Sequence, residues 1–228
     1  MATFEAQVKG YTGLTLTGST VPTQDELTQF LKDGVIDVTS KLISKNPSHV
    51  TKFLAESTEQ TGNDSLDING AKIATVLREG GANNDWRECK FIPPSHQNRV
   101  EDVDSIFYAS KLNPVYTIME NGIINVFPSP TAGGSNSFKV YYVNNVPQDK
   151  GGAALLYSHS DIKYFADDKV YLVALYAAIR VLQAKLSEMT FVEEDPELVE
   201  SLSTNLGLCS SQYMQELQPE QQAQTGDN

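Results

Sequence analysis

The spacing of apolar positions changes twice along the chain. From Thr23 it is helical: Leu27, Leu31, Val35, Val38 and Leu42 follow at steps of 4, 4, 3 and 4, a single stripe on a 3.6-residue helix. Thr23 and Glu26 make a capping box at its start, each side chain able to satisfy a backbone N–H at the other position. Asn46-Pro47 stops the helix, because the residue before a proline is pushed out of the helical region. Between residues 48 and 146 the pattern becomes that of strands. Val50–Leu54, Lys72–Arg78, Trp86–Ile92, Pro114–Met119, Ile123–Phe127 and Phe138–Val143 are predicted strands. Asn69-Gly70 and Asn121-Gly122 supply residue pairs that tolerate positive φ, as tight hairpins require. Pro93-Pro94 and Pro128 with Pro130 end runs, and Gly133-Gly134 turns into the last strand. No helix long enough for a parallel crossover separates these strands, so antiparallel order is expected.

Helical spacing returns after residue 146. Asp167 and Asp168 suit a helix N-terminus. Leu172, Leu175, Tyr176, Ile179, Leu182, Leu186 and Met189 form one face, and Ala174, Ala177, Ala178 and Ala184 form a small-residue face open to close approach. Apolar nearly all round from Val170 to Leu182, this helix is expected to be central. Asp195-Pro196 opens another, with Asp as cap and Pro at the first position, carrying Leu198, Leu202, Leu206, Cys209, Tyr213 and Leu217. Pro219 ends it. The expected fold class is α+β: a small α-helical bundle of one N-terminal and two C-terminal helices, with a large antiparallel β-rich insertion. By residue, 1–22 is an extended arm, 23–47 and 160–218 the bundle, 48–146 the insertion, and 219–228 a flexible polar tail.

Length and composition narrow the function classes. At 228 residues and 25.0 kDa the chain can build a core without disulfides or metals. Its two cysteines, Cys89 and Cys209, lie too far apart in sequence for a Cys-x-x-Cys motif and read as free buried thiols. The opening MATFEAQVKG lacks the charged and apolar regions of a signal peptide, and the longest apolar run, Val170 to Ile179, is half a membrane span. A soluble protein without a membrane partner is expected. The net charge of −12 argues against gripping nucleic acid through a basic face. The charge is uneven, −4 over 1–114 and −8 over 115–228. After Lys185 no basic residue occurs, whereas nine acidic ones do.

Candidate chemistry is sparse. The phosphate-binding loop, the Gly-x-Ser-x-Gly elbow and the His-Glu-x-x-His zinc motif are all missing. His49, His96 and His159 are scattered in loop-like contexts and read as surface residues. Ser65 to Gly70 imitates the start of a calcium loop, but Ser65 stands where Asp is needed and Val76 where a bidentate Glu is needed, so a turn is the better reading. Glu193-Glu194-Asp195 is explained by a helix N-terminus without a metal. Trp86 reads as a core or interface anchor. No catalytic, cofactor-binding or metal-ligating residue is assigned, and no cofactor is expected. The acidic C-terminal stretch reads either as a solvated face or as a surface that repels an anion such as passing DNA.

Four segments recur in one order: Phe30–Val38 (FLKDGVIDV), Arg87–Pro93 (RECKFIP), Asn113–Tyr116 with Val126–Pro130, and Leu175–Leu182 (LYAAIRVL). As an ordered set over about 24–218 they resemble the head-to-tail connector (neck or adaptor) proteins of tailed bacteriophages. The Thr/Gly-rich start and glutamine-rich end depart from that pattern. The resemblance implies a virion structural protein, not an enzyme, assembled in the host bacterial cytoplasm into a ring of about twelve copies. The ring would stand between the portal protein and the tail or next neck protein, with DNA passing through a central channel without specific binding. Another virion ring, such as a stopper or tail terminator, is the alternative. On this reading Glu193, Glu194, Glu197 and Glu200 line the channel, and Ala174 and Ala178 serve ring packing.

Overall fold

A computed structural model describes residues 2–81, 85–120, 122–131, 136–191 and 196–218. The chain divides into two compact units, one from Leu54–Asn145 and one from the segments on either side of it. The class is α+β, as the residue pattern implies, and the unit boundaries fall within six residues of the expected insertion.

The flanking segments make the helical unit. Helix α2 (Gln24–Lys45) begins at the expected capping box: Thr23 Oγ1 accepts from Glu26 N at 3.3 Å, and Thr23 N donates to Glu26 Oε2 at 2.7 Å. Leu27, Leu31, Val35, Val38 and Leu42 are all buried. Helix α4 (Val170–Phe191) is the centre, in contact with α2, with α1 (Phe4–Thr12) and with α5 (Pro196–Glu216). Packing on three sides explains its composition: Leu172 to Leu175, Ala177, Ala178, Val181 and Leu182 are wholly buried. Asp167–Met189 is long and apolar enough to cross a membrane by length and composition, with mean hydropathy 1.3, yet half of it is enclosed by its helical neighbours.

Two expectations for this unit change. The segment 1–22 is not an extended arm, since it opens with α1. Thr3 caps the helix at Ala6 N, Gly13 ends it in the left-handed region at φ 72°, and Phe4 and Val8 are buried. The first N–H groups are satisfied from afar, Phe4 N by His159 O at 2.8 Å and Glu5 N by Tyr157 O at 3.0 Å. Nine residues with two anchors give little periodicity, and burial rather than propensity makes them helical. Likewise Val50–Leu54 is not a strand. Pro47–Phe53 forms a 3₁₀ helix that buries Phe53 edge-on against Phe165, and only Leu54–Glu56 (β1) is extended.

In the other unit, β2 (Ile73–Glu79), β3 (Trp86–Glu88) and β7 (Phe138–Val143) join β1 in a sheet of order β1-β7-β2-β3. A second sheet has order β4-β5-β6, from Lys90–Phe91 (β4), Val115–Met119 (β5) and Ile123–Phe127 (β6). Val76, Phe138 and Val140 of the first sheet meet Ile124 and Val126 of the second around Ile68, Ala71 and Cys89 in one core. The predicted strand Trp86–Ile92 is therefore divided. Cys89 N still donates to Val76 O, whereas Lys90 N donates to Pro114 O in the other sheet. β4 and β5 run parallel, against the all-antiparallel expectation, because residues 92–114 supply a crossover containing the short helix α3 (Gln97–Val100).

Asn69-Gly70 does form the tight turn, with φ 51° and 70° and Ala71 N donating to Ile68 O. It does not join a hairpin: the residues before it bond β6, those after it enter β2. The β5–β6 hairpin is as expected, though its turn reaches back to Glu120 at φ 43°. Asn121, Gly133-Gly134, Asp195, Glu193, Glu194 and the tail 219–228 lie outside the described residues.

Candidate functional site

Helix α5 has two unlike sides. Leu202, Cys209 and Tyr213, with Leu217 just beyond, turn inward and are buried. Glu197 and Glu200, three residues apart and so on one face, are exposed in its first turns. No Lys or Arg lies within the helix. Two of the four residues expected to line a channel thus share one exposed face, and Glu193 and Glu194 fall outside the described residues. Ala174 and Ala178 are at 0% exposure, inside the protomer. Their small side chains let neighbouring helices approach α4, and no surface remains there for a second copy. That assignment to ring packing is corrected.

The buried side of α5 is tied to α2 by a polar network. Tyr213 Oη donates to Asp37 Oδ2 at 2.5 Å, Lys41 pairs with the same oxygen at 2.7 Å, and the Lys41 ammonium lies 5.0 Å from the Tyr213 ring centre. Burial first, then the Asp37 carboxylate, drives the Tyr213 phenol well above its ordinary range. At the far end of α5, Tyr171 Oη donates to Glu216 Oε2 at 2.7 Å, and burial with that carboxylate pushes its phenol up to about 12. These contacts fix the helix; they do not activate a reacting group.

The three histidines are separate. His49 sits in the 3₁₀ helix after α2, His96 stacks on Phe107 at 4.8 Å, and His159 Nδ1 accepts from Leu156 N with Nε2 3.8 Å from Asp149. Burial pushes the Cys89 thiol up to about 12 and raises that of Cys209, which disfavours the nucleophilic thiolate. Among the described residues no three of His, Cys, Asp and Glu gather as metal ligands. Ser65 to Gly70 is occupied by the turn, Asp67 Oδ1 accepting from Asn69 N at 2.7 Å. Trp86 lies under the Lys139 ammonium, 4.7 Å from it.

Two surfaces were not foreseen from the sequence. In the helical unit, a cleft of about 540 Å³ is lined by Lys45, His49, Lys52 and Lys169, with Asp168 and Glu216 the acids beside them. Lys45 Nζ donates to Leu217 O, whereas Lys52 and Lys169 are ion-paired with no other described residue. In the β unit, the loop Val100–Ala109 is closed at its base by Ala109 N donating to Val100 O at 2.9 Å, both residues being buried. It raises Val103 to 71% and Ile106 to 93% exposure. The only foretaste is negative: Val103, Ile106 and Tyr108 follow neither helical nor strand spacing. Comparison with known proteins finds no matching family model and no matching curated protein.

Proposed function

We propose that this chain is a virion structural protein that forms a head-to-tail adaptor ring between portal and tail of a tailed bacteriophage, with DNA passing through its centre. The reading rests on the ordered resemblance together with one structural observation. The exposed face of α5 presents Glu197 and Glu200 in a helix without a cation. A surface of this kind repels a polyanion and suits a wall past which DNA slides, since like charge suppresses adhesion. In this role the chain acts through its surfaces, not by catalysis, and works in the neck of the particle after assembly in the host cytoplasm.

The first test is co-assembly with the portal protein of the same phage. A complex gaining about 300 kDa, twelve copies of a 25.0 kDa chain, is expected by native mass measurement. Indifference to the portal with binding to the tail tube instead would turn the assignment to a tail terminator. The channel is tested separately by Glu197→Lys with Glu200→Lys. Rings of normal mass are expected, with DNA ejection slowed and infectivity reduced at least about tenfold by phosphate adhesion. Unchanged infectivity would remove α5 from the channel wall.

A further inference from the structure

We infer that the Val100–Ala109 loop of one copy seats in the lysine-lined cleft of the next copy. This inference rests on the ring reading and specifies the contact that builds the ring. The loop has the form of a prepared surface, not of slack chain. Its base is pinned by the Val100–Ala109 hydrogen bond over Val115 and Phe127. Its interior is cross-braced: Asp104 N donates to Asp102 Oδ1, Ser105 N to Asp102 O, Phe107 N to Ser105 Oγ and Tyr108 N to Ser105 O. A loop held this firmly has already lost the freedom that binding would cost it. What it holds out is apolar, above all Ile106 at 93% exposure with Val103, and such surface on an ordered loop marks an interaction site.

Charge selects the occupant. Glu101, Asp102 and Asp104 flank the apolar tip, all exposed and none ion-paired with a described residue. Copies of a chain at −12 repel one another unless a local basic feature meets a local acidic one. The cleft is such a feature. It offers Lys52 and Lys169, neither ion-paired with another described residue, with buried Leu42 and Leu217 among its lining for an apolar side chain to meet. Loop and cleft are different patches, so the contact is heterologous. A heterologous contact propagates from copy to copy and closes into a ring when its rotation allows, whereas a self-complementary patch would stop at a dimer.

The test is charge exchange, read as native mass of the chain alone across a concentration series. Glu101→Lys with Asp104→Lys leaves the Asp102 turn intact, and Lys52→Glu with Lys169→Glu alters only the cleft. Wild type is expected as a multiple of 25.0 kDa, and each variant alone as a monomer. An equal mixture of the two variants regains the multimer, because acidic cleft then meets basic loop and the reverse. That recovery also shows both variants to be folded. Ile106→Ser should raise the midpoint concentration for assembly at least about tenfold. Variants that keep the wild-type mass, or a mixture that stays monomeric, overturn the contact. A wild type monomeric at every concentration also overturns it, while co-assembly with the portal decides the ring reading on its own.

Discussion

The two units bury their apolar residues by opposite routes. The helical unit assembles stripes that are complete within single segments: five residues of α2, the interior of α4 and three residues of α5 are each buried on the helix that encodes them. The β unit has no such self-sufficient element. Its core takes Ile68 and Ala71 from a turn, Cys89 from the point where the chain changes sheet, and Val76, Ile124 and Phe138 from three strands. Long-range pairing therefore matters more in the second unit, and its stability hangs on turns and close approaches as much as on apolar mass.

The single tryptophan makes this contrast measurable, because Trp86 reports on β3 while helical circular dichroism reports on the other unit. Leu175→Ala, which empties a wholly buried position of α4, is expected to cost about 2–5 kcal/mol in the dichroism transition and to leave the Trp86 transition in place. Phe138→Ala should do the reverse, costing about 3–5 kcal/mol at Trp86. Coincident shifts in both variants would show that the units melt as one. Next in size is Gly122→Ala. A Cβ there would stand 2.3 Å from Asp67 Oδ1 and 2.9 Å from Asn69 N, the latter fixed backbone of the tight turn. A loss of about 1–3 kcal/mol is expected by urea denaturation, and a neutral result would show the turn to be pliable.

Tyr213→Phe sharpens the comparison from the helical side. Losing the bond to Asp37 should cost about 1–2 kcal/mol at neutral pH. The phenol is raised in the fold, so its contribution is fully present below the unfolded value near 10 and fades as pH rises above it. The variant should therefore lose less dichroism-monitored stability between neutral pH and strong alkali than wild type does. The smallest effect is reserved for Thr23→Ala, about 1 kcal/mol from one lost cap, seen as a lower midpoint of the dichroism transition alone.

The same contrast governs what can be read from residues in order. α2, α4 and α5 are legible because their stripes repeat within one segment and their caps stand beside them. α1 is not, since Phe4 and Val8 make a stripe too short to declare itself and its first N–H groups are satisfied by residues 157 and 159. In the β unit most strands are legible, and with them the β5–β6 hairpin, but the other pairings are not. Asn69-Gly70 is a correct turn placed between strands of different sheets, and nothing local at Cys89 announces that the chain changes sheet there. Of the surfaces, the acidic face of α5 shows directly in composition. The cleft does not, because Lys45 and Lys52 meet Lys169 only after folding, and the loop does not, because the exposure of Ile106 has no periodic signature.

The insertion of 54–145 between α2 and α4 also sets an order for synthesis. At the ribosome's pace of about 5–20 residues per second, that stretch keeps α1 and α2 waiting roughly 5–20 s for the helix they pack against. The β unit can close during this interval, as all its strands have emerged before α4 begins. A chain truncated after residue 146 and released from the ribosome should therefore hold a folded β unit together with two helices whose apolar stripes are still open to chaperones.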